Sequence, residues 1–146
     1  MISSMIRIIR EEGYICINIL GFKARFKNPM VSRLGDCCSL HGLQRLLDFE
    51  VNFPNPIGIV IARDVVIGKN CTIYQNVTIG KKKFGFIENK HTIIGDNVTI
   101  CANACIIGDL NIGNNAIIEA GAVVLEDVPD NAYVAGNPAK VIEFMK

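Results

Sequence analysis

Aliphatic residues recur at every sixth position through the middle of the chain. Ile61, Ile67, Ile73 and Ile79 open the series, and after one interruption Ile94, Ile100, Ile106, Ile112, Ile118 and Val124 continue it. The fifth position of the steps is also apolar and mostly small: Val65, Cys71, Val77, Val98, Ala104, Leu110, Ala116, Ala122 and Val128. A fixed period of this kind marks a repeat architecture. Side chains alternate across a strand, so a short strand followed by a tight turn sends the first and fifth residues inward. Three steps complete one coil, and stacked coils bury a column of Ile and Val. The turns Gly68-Lys69-Asn70, Gly95-Asp96-Asn97 and Gly113-Asn114-Asn115 supply residues that tolerate positive φ. The pattern predicts an all-β parallel β-helix, a triangular prism built from six-residue repeats.

The ends of the chain follow the pattern less well. Extending the phase backwards puts Leu43, Phe49 and Asn55 at first positions and Leu47, Phe53 and Ile59 at fifth positions, as expected of a degenerate capping coil. The prism is therefore expected over residues 49–135, with a start as early as Cys37 also open. Residues 1–48 form an N-terminal segment of mixed or helical character, a cap or packing element. In it, Met5, Ile6, Ile8 and Ile9 and then Tyr14, Ile15, Ile17, Ile19 and Leu20 fit a helix followed by a strand or second helix. Gly13 and Gly21 punctuate that segment and Pro29 ends it. Residues 136–146 are expected as a short C-terminal helix or tail.

One break interrupts the phase. Ile79 and Ile94 stand fifteen residues apart, not a multiple of six, so a loop over residues 81–91 must leave the prism. Insertions in such arrays map to loops, often on the binding side. This one carries four lysines and His91, one of two histidines in the protein.

Composition narrows the classes. The 146 residues suit one domain with short extensions, and 50% hydrophobic residues are ample for a core. A net charge of +1 gives no reason to expect a nucleic-acid partner. No run approaches the eighteen or so apolar residues of a membrane span. The start of the chain lacks the basic-then-apolar layout of a secretory signal, so a cytoplasmic location is expected. Arg7, Arg10, Lys23, Arg25 and Lys27 read as a solvated face in preference to a membrane contact. The six cysteines (Cys16, Cys37, Cys38, Cys71, Cys101, Cys105) read as reduced and structural. Cys101 and Cys105 have no paired histidines to complete a zinc set, so no metal is expected. His41 reads as a capping or surface histidine.

Two runs carry a resemblance. Residues 56–80 (PIGIVIARDVVIGKNCTIYQNVTIG) and the run Ala135-Gly136-Asn137-Pro138-Ala139-Lys140-Val141-Ile142 resemble the serine O-acetyltransferase branch of the hexapeptide-repeat acyltransferases. That branch also includes sugar O-acetyltransferases of surface-polysaccharide synthesis. The likeness extends over residues 49–142. It implies a left-handed coil, a homotrimer with sites at the subunit junctions, acetyl-CoA as co-substrate and a small-molecule hydroxyl acceptor. The first fifty residues look more like the short surface-polysaccharide relatives, which puts a sugar ahead of serine as acceptor.

Acetyl transfer from a thioester to a hydroxyl needs a base for the hydroxyl proton. A histidine, with an unperturbed pKa of about 6.5, is mostly neutral at pH 7 and suits that task. Lys90-His91 looks like the Arg-His pair of the serine acetyltransferases, which makes His91 the candidate base and Lys90 a substrate contact. Asn55 stands where the family usually places its principal histidine, and an amide takes up no proton at neutral pH. Two further positions where relatives carry a histidine are Ala62 and Asn103 here. Either His91 is the base, or the acceptor is activated differently, or the protein is a catalytically silent scaffold or partner subunit. By resemblance, Gly80, Ala102 and Ala120 flank the pantetheine arm of the co-substrate. Lys140, with the lysines at 81–83, is placed to meet its phosphates. The β-helical carbonic anhydrases need three metal-binding histidines, more than the two this chain has.

Overall fold

The structure, a computed structural model, describes residues 6–11, 14–19, 22–27, 39–40, 50–81 and 91–145. Every regular element among them is a strand. In chain order these are β1 (Ile6–Glu11), β2 (Tyr14–Ile19), β3 (Phe22–Lys27), β4 (Ser39–Leu40), β5 (Val60–Ile61), β6 (Val66–Ile67), β7 (Thr72–Ile73) and β8 (Thr78–Gly80). They continue with β9 (Ile93–Ile94), β10 (Thr99–Ile100), β11 (Cys105–Ile107), β12 (Asn111–Ile112), β13 (Ile117–Ile118), β14 (Val123–Val124), β15 (Ala132–Gly136) and β16 (Ala139–Phe144).

Strands β4 to β15 wind as a left-handed parallel β-helix. Face one stacks β4, β5, β8, β11 and β14; face two stacks β6, β9 and β12; face three stacks β7, β10, β13 and β15. Register puts like on like. Ile61, Ile79, Ile106 and Val124 form one column, Ile67, Ile94 and Ile112 a second, and Ile73, Ile100, Ile118 and Val134 a third. All are buried, as are Cys71, Val77, Val98, Ala104, Ala116 and Ala122 from the fifth positions. Burial of each aliphatic side chain is worth about 1.5–3 kcal/mol, so the columns dominate the stability of the prism.

A regular coil takes eighteen residues, as Val60 pairs with Thr78 and Cys105 with Val123, and the last coil is two shorter, Ile117 pairing with Tyr133. Thr78 pairs with Cys105 twenty-seven residues on, so nine extra residues leave the prism there and the ladder resumes in register. The insertion inferred from the phase break lies where expected. Phase extension towards the N-terminus holds only in part. Ile59 and Phe53 are buried as fifth positions should be, but Asn55 is exposed and Val51 is buried instead. Asn52 bridges to Thr72 at a spacing of twenty, two residues more than a regular coil. β4 pairs with β5, so the array reaches back at least to Ser39.

The corners carry positive φ in the turns where the sequence placed it, and divide the labour within each turn. Positive φ falls on the asparagines: Asn70, Asn97, Asn115 and Asn131 on the corner between faces two and three, and Asn76 and Asn103 on the corner between faces three and one. Asparagine visits this region more readily than other residues with a Cβ. Gly68, Gly95 and Gly113 serve a different need. The Asp96 carboxylate accepts from the Lys69 N–H at 2.8 Å, Asn114 Oδ1 accepts from the Asp96 N–H at 2.8 Å, and Asp130 accepts from the Asn114 N–H at 2.7 Å. Each acceptor reaches up to the coil before it and fills the space beside that coil's glycine. A Cβ on Gly95 would lie 2.6 Å from Asn114 Oδ1.

The two ends differ from expectation. β1, β2 and β3 form an antiparallel sheet where a mixed or helical segment was predicted. β-Branched runs such as Ile15, Ile17 and Ile19 alternate with a period of two, which favours strand over helix. At the other end, β16 turns back antiparallel on β15 in place of a short helix or tail. The turn includes the cis peptide Asn137–Pro138.

Candidate active site

The expected site residues fall on two different corners of one chain. His91 stands two residues before β9 and occupies the corner between faces one and two, with Gly80 at the end of β8 and the Arg63-Asp64 turn one coil earlier. His91 is exposed. Its neighbour Thr92 is buried, and the Thr92 hydroxyl donates to the Gly108 carbonyl of the next coil. That bond seats the chain as it re-enters the prism. Gly80 has no positive φ, and among the described residues nothing lies within 4 Å of where its Cβ would be. Backbone strain does not explain a glycine here, and among the described residues packing does not either.

Asp64 and Lys81 form an ion pair on this corner. The hydrogen bond from Lys81 holds the Asp64 carboxyl below its usual range, helped by a backbone N–H and by the charges of Lys81 and His91, while partial burial opposes the shift. Lys81 thus pairs with a carboxylate, although it remains accessible. Lys90 and the lysines at 82 and 83 lie outside the described residues, as do His41, Cys37 and Cys38.

Asn55 occupies the corner between faces three and one. Its side-chain amide donates to Gln75 Oε1 at 3.4 Å. Below Gln75 come Asn103, whose N–H donates to the Gln75 carbonyl at 3.0 Å, and Asn76, whose amide donates to Asn103 Oδ1 at 3.1 Å. Ala102 and Ala120 belong to the same corner, where the Gly121 N–H donates to the Ala102 carbonyl at 2.9 Å. This edge is therefore a strip of amides and small side chains. Five residues of extended chain, about 16 Å at about 3.3 Å per residue, run along face one from Gly58 to Arg63 and separate it from the His91 corner. Lys140 lies further off, in β16, where it pairs with Glu126 at 3.2 Å.

Sequence reading passed over Asp64, Thr92 and Gln75. Asp64 shares the corner where the phase breaks, which was the available signal. Thr92 stands two residues before Ile94, at an inward-reading fifth position, so its burial was legible although its partner was not; Gln75 occupies an outward-reading step, and only the stacking of coils reveals its partner.

Residues 91–126 match the family model described as bacterial transferase hexapeptide (six repeats). A serine acetyltransferase of Synechococcus elongatus is 41% identical over 144 residues, an alignment covering 90% of this chain and 56% of the relative. The solved structure of Neisseria gonorrhoeae serine acetyltransferase in complex with serine superposes with a TM-score of 0.59 at 42% identity, over 64% of this chain and 37% of that one. A serine acetyltransferase in complex with CoA superposes with a TM-score of 0.57 at 35% identity, over 63% and 37%. The chain belongs to the hexapeptide-repeat acyltransferase superfamily. Within it, this chain is serine acetyltransferase-like, and it spans about half the length of the Synechococcus relative.

Proposed function

We propose that residues 49–135 carry an acetyl-CoA-dependent O-acetyl transfer to a small hydroxyl acceptor, with His91 as the base. The observation that carries this reading is that His91 and Gly80, which has no described atom within 4 Å of where its Cβ would be, share the corner where nine residues leave the prism. A neutral ring there can take the acceptor's proton, and bare backbone admits a thioester close to it. Acetyl-CoA supplies the activated acyl group; positioned proton transfer by His91 contributes about 10²–10⁴-fold. Backbone N–H groups at the corner suit the oxyanion.

The separation of the two corners supports a homotrimer. Packed side by side around an axis, the Asn55 edge of one copy faces the His91 corner of the next, and Asn55, Ala102 and Ala120 then line the same cleft as His91 and Gly80. In that cleft Asn55 hydrogen-bonds the acceptor and takes no proton. Lys140, with Glu126 beside it, is the reading's phosphate contact. Relatives named as serine acetyltransferases place serine first among acceptors, ahead of the sugar favoured by the N-terminal segment.

Purified protein is to be incubated with acetyl-CoA and a panel of serine and sugar acceptors, with release of the thiol followed. Transfer to at least one acceptor is expected, with kcat falling by about 10²–10⁴ in His91→Ala. Absence of both acetyl-CoA binding and turnover defeats the reading. Because Asn55 replaces a base, a silent scaffold is the second reading. It expects no effect of His91→Ala and a gain of activity in Asn55→His.

A further inference from the structure

Two sheet edges at opposite ends of the chain match each other in charge and in apolar content. Among the described residues, β16 is one edge of the sheet that closes the prism, and β3 is one edge of the N-terminal sheet. Each presents a row of backbone N–H and C=O groups with no strand beside it. The β16 edge is apolar as well: Val141 is 42% exposed, and Ile142 and Phe144 are 61% exposed. Ile142 has no partner on β15, because the register slips between Tyr133 and Val134. Beside this strand lies a hollow of about 110 Å³, walled by Val124, Val128, Val134 and Val141 and rimmed by Glu126 and Asp127. A space of that size suits one aromatic or aliphatic side chain. Residues 119–146 carry five carboxylates against two lysines, and one of these, Lys140, is already paired with Glu126 at 3.2 Å.

The opposite composition occupies the other end. β3 reads Phe22-Lys23-Ala24-Arg25-Phe26-Lys27, apolar and basic positions in strict alternation. Register sets Lys23 opposite Asn18 and Asn18 opposite Arg7, so Arg7, Lys23, Arg25 and Lys27 share one face of the sheet, and Phe22, Ala24 and Phe26 the other. Residues 1–28 hold five basic side chains against two acidic ones. We propose that the β16 edge of one copy is a docking site for the β3 edge of a second copy, with a phenylalanine of β3 in the apolar hollow and its cations against the acidic rim. Charge selects this pairing over the symmetric ones. Two β3 edges brought together would set three cations from each copy on one ladder, and two C-terminal ends would oppose carboxylates. Only the mixed pair joins opposite signs. The contact is therefore head-to-tail: a pair of copies keeps one β3 edge and one β16 edge open, and the assembly grows unless it closes on itself. None of this depends on acetyl transfer.

The test is sedimentation velocity of the full chain across a concentration series. At low salt the mean size is expected to climb continuously with concentration, whereas a closed trimer alone reaches a plateau. In about 1 M salt the climb is expected to shrink. Lys23→Glu with Arg25→Glu, and separately Glu126→Lys with Glu143→Lys, are expected to weaken the association about tenfold, and a chain carrying all four changes to recover most of it. The milder Lys23→Gln with Arg25→Gln keeps the strand's polar pattern and is expected to give a smaller loss. Ile142→Ser and Phe144→Ser trim exposed side chains, so they are expected to weaken association by a similar factor with the melting temperature unchanged. A size that levels off at every salt concentration overturns the proposal. So does association that survives both changes on β3 while Ile142→Ser removes it, because the C-terminal edge then meets a different surface. A chain with all four reversals that melts like the parent and stays apart overturns it too.

Discussion

Asn97 donates its side-chain amide to Asn115 Oδ1 at 3.2 Å, and both residues hold a φ of 57°. The pair is the middle of a column. Asn70 donates to Asn97 at 3.4 Å and Asn115 to Asn131 at 3.0 Å, one coil after another down a single corner. Asparagine thus solves two problems at once: it accepts the left-handed backbone and ties its coil to the next. Asn97→Ala is expected to lose about 1–2 kcal/mol through the strained Cβ alone, with the lost ladder bonds adding to this. Asn97→Gly relieves the backbone and recovers that part. Urea denaturation of the three proteins checks the ordering.

Glycines that look alike in the sequence are expected to respond differently. Gly68→Ala pushes a Cβ into the Asp96 carboxylate and the Gly95 backbone, and overpacking of this kind costs about 1–3 kcal/mol. Gly80→Ala meets nothing and should stay within about 0.5 kcal/mol of the parent. Its effect is expected on KM for acetyl-CoA, which rises as the backbone beside His91 is covered. Thermal melts and steady-state kinetics on the two variants separate the roles.

Thr92→Val keeps the shape of a buried side chain and removes its hydroxyl. The Gly108 carbonyl then loses its side-chain donor in a buried setting, at a cost of about 1–3 kcal/mol. Thr92→Ser keeps the donor and should sit much closer to the parent. Because Thr92 adjoins His91, kcat is expected to fall in the valine variant even where the fold survives, and denaturation run beside kinetics shows both effects.

The Cys71 thiol donates to the Gly95 carbonyl at 3.1 Å, and burial raises its pKa above the ordinary 9.0. The unfolded chain therefore gives up this proton at a lower pH than the folded chain. Stability is complete below about pH 9.0 and falls as pH rises towards the folded value. Burial at Cys101 and the Glu119 hydrogen bond at Tyr133 push in the same direction. Denaturation midpoints across pH 8 to about 10.5 should decline, less steeply in Cys71→Ala, and a thiol reagent should reach Cys71 only on unfolding.

The prism was legible because its code is one-dimensional. A buried column demands the same residue class at the same phase, so Ile61 through Val124 could be placed from spacing alone. The corners were not, because their logic runs between coils. Gly68 is small on account of Asp96, twenty-eight residues later, and no local turn rule contains that fact. The same limit applies to the site. His91 stood out through the phase break and its chemical type, whereas Asp64 gained meaning only when stacking brought it beside Lys81. The ends were misread where propensity had to arbitrate: Ala139–Phe144 holds residues at home in helix or strand, and pairing with β15 decided the matter.

The nine residues that leave the prism between Thr78 and Cys105 do so without altering the ladder on either side. Such a corner works like a splice point. Segments can be lengthened, shortened or exchanged there while every Ile column stays aligned, so selection on what the corner presents is uncoupled from selection on the core. Engineering can exploit the same freedom: a graft between Lys81 and His91 changes what this corner presents and leaves the ladder that carries it in register.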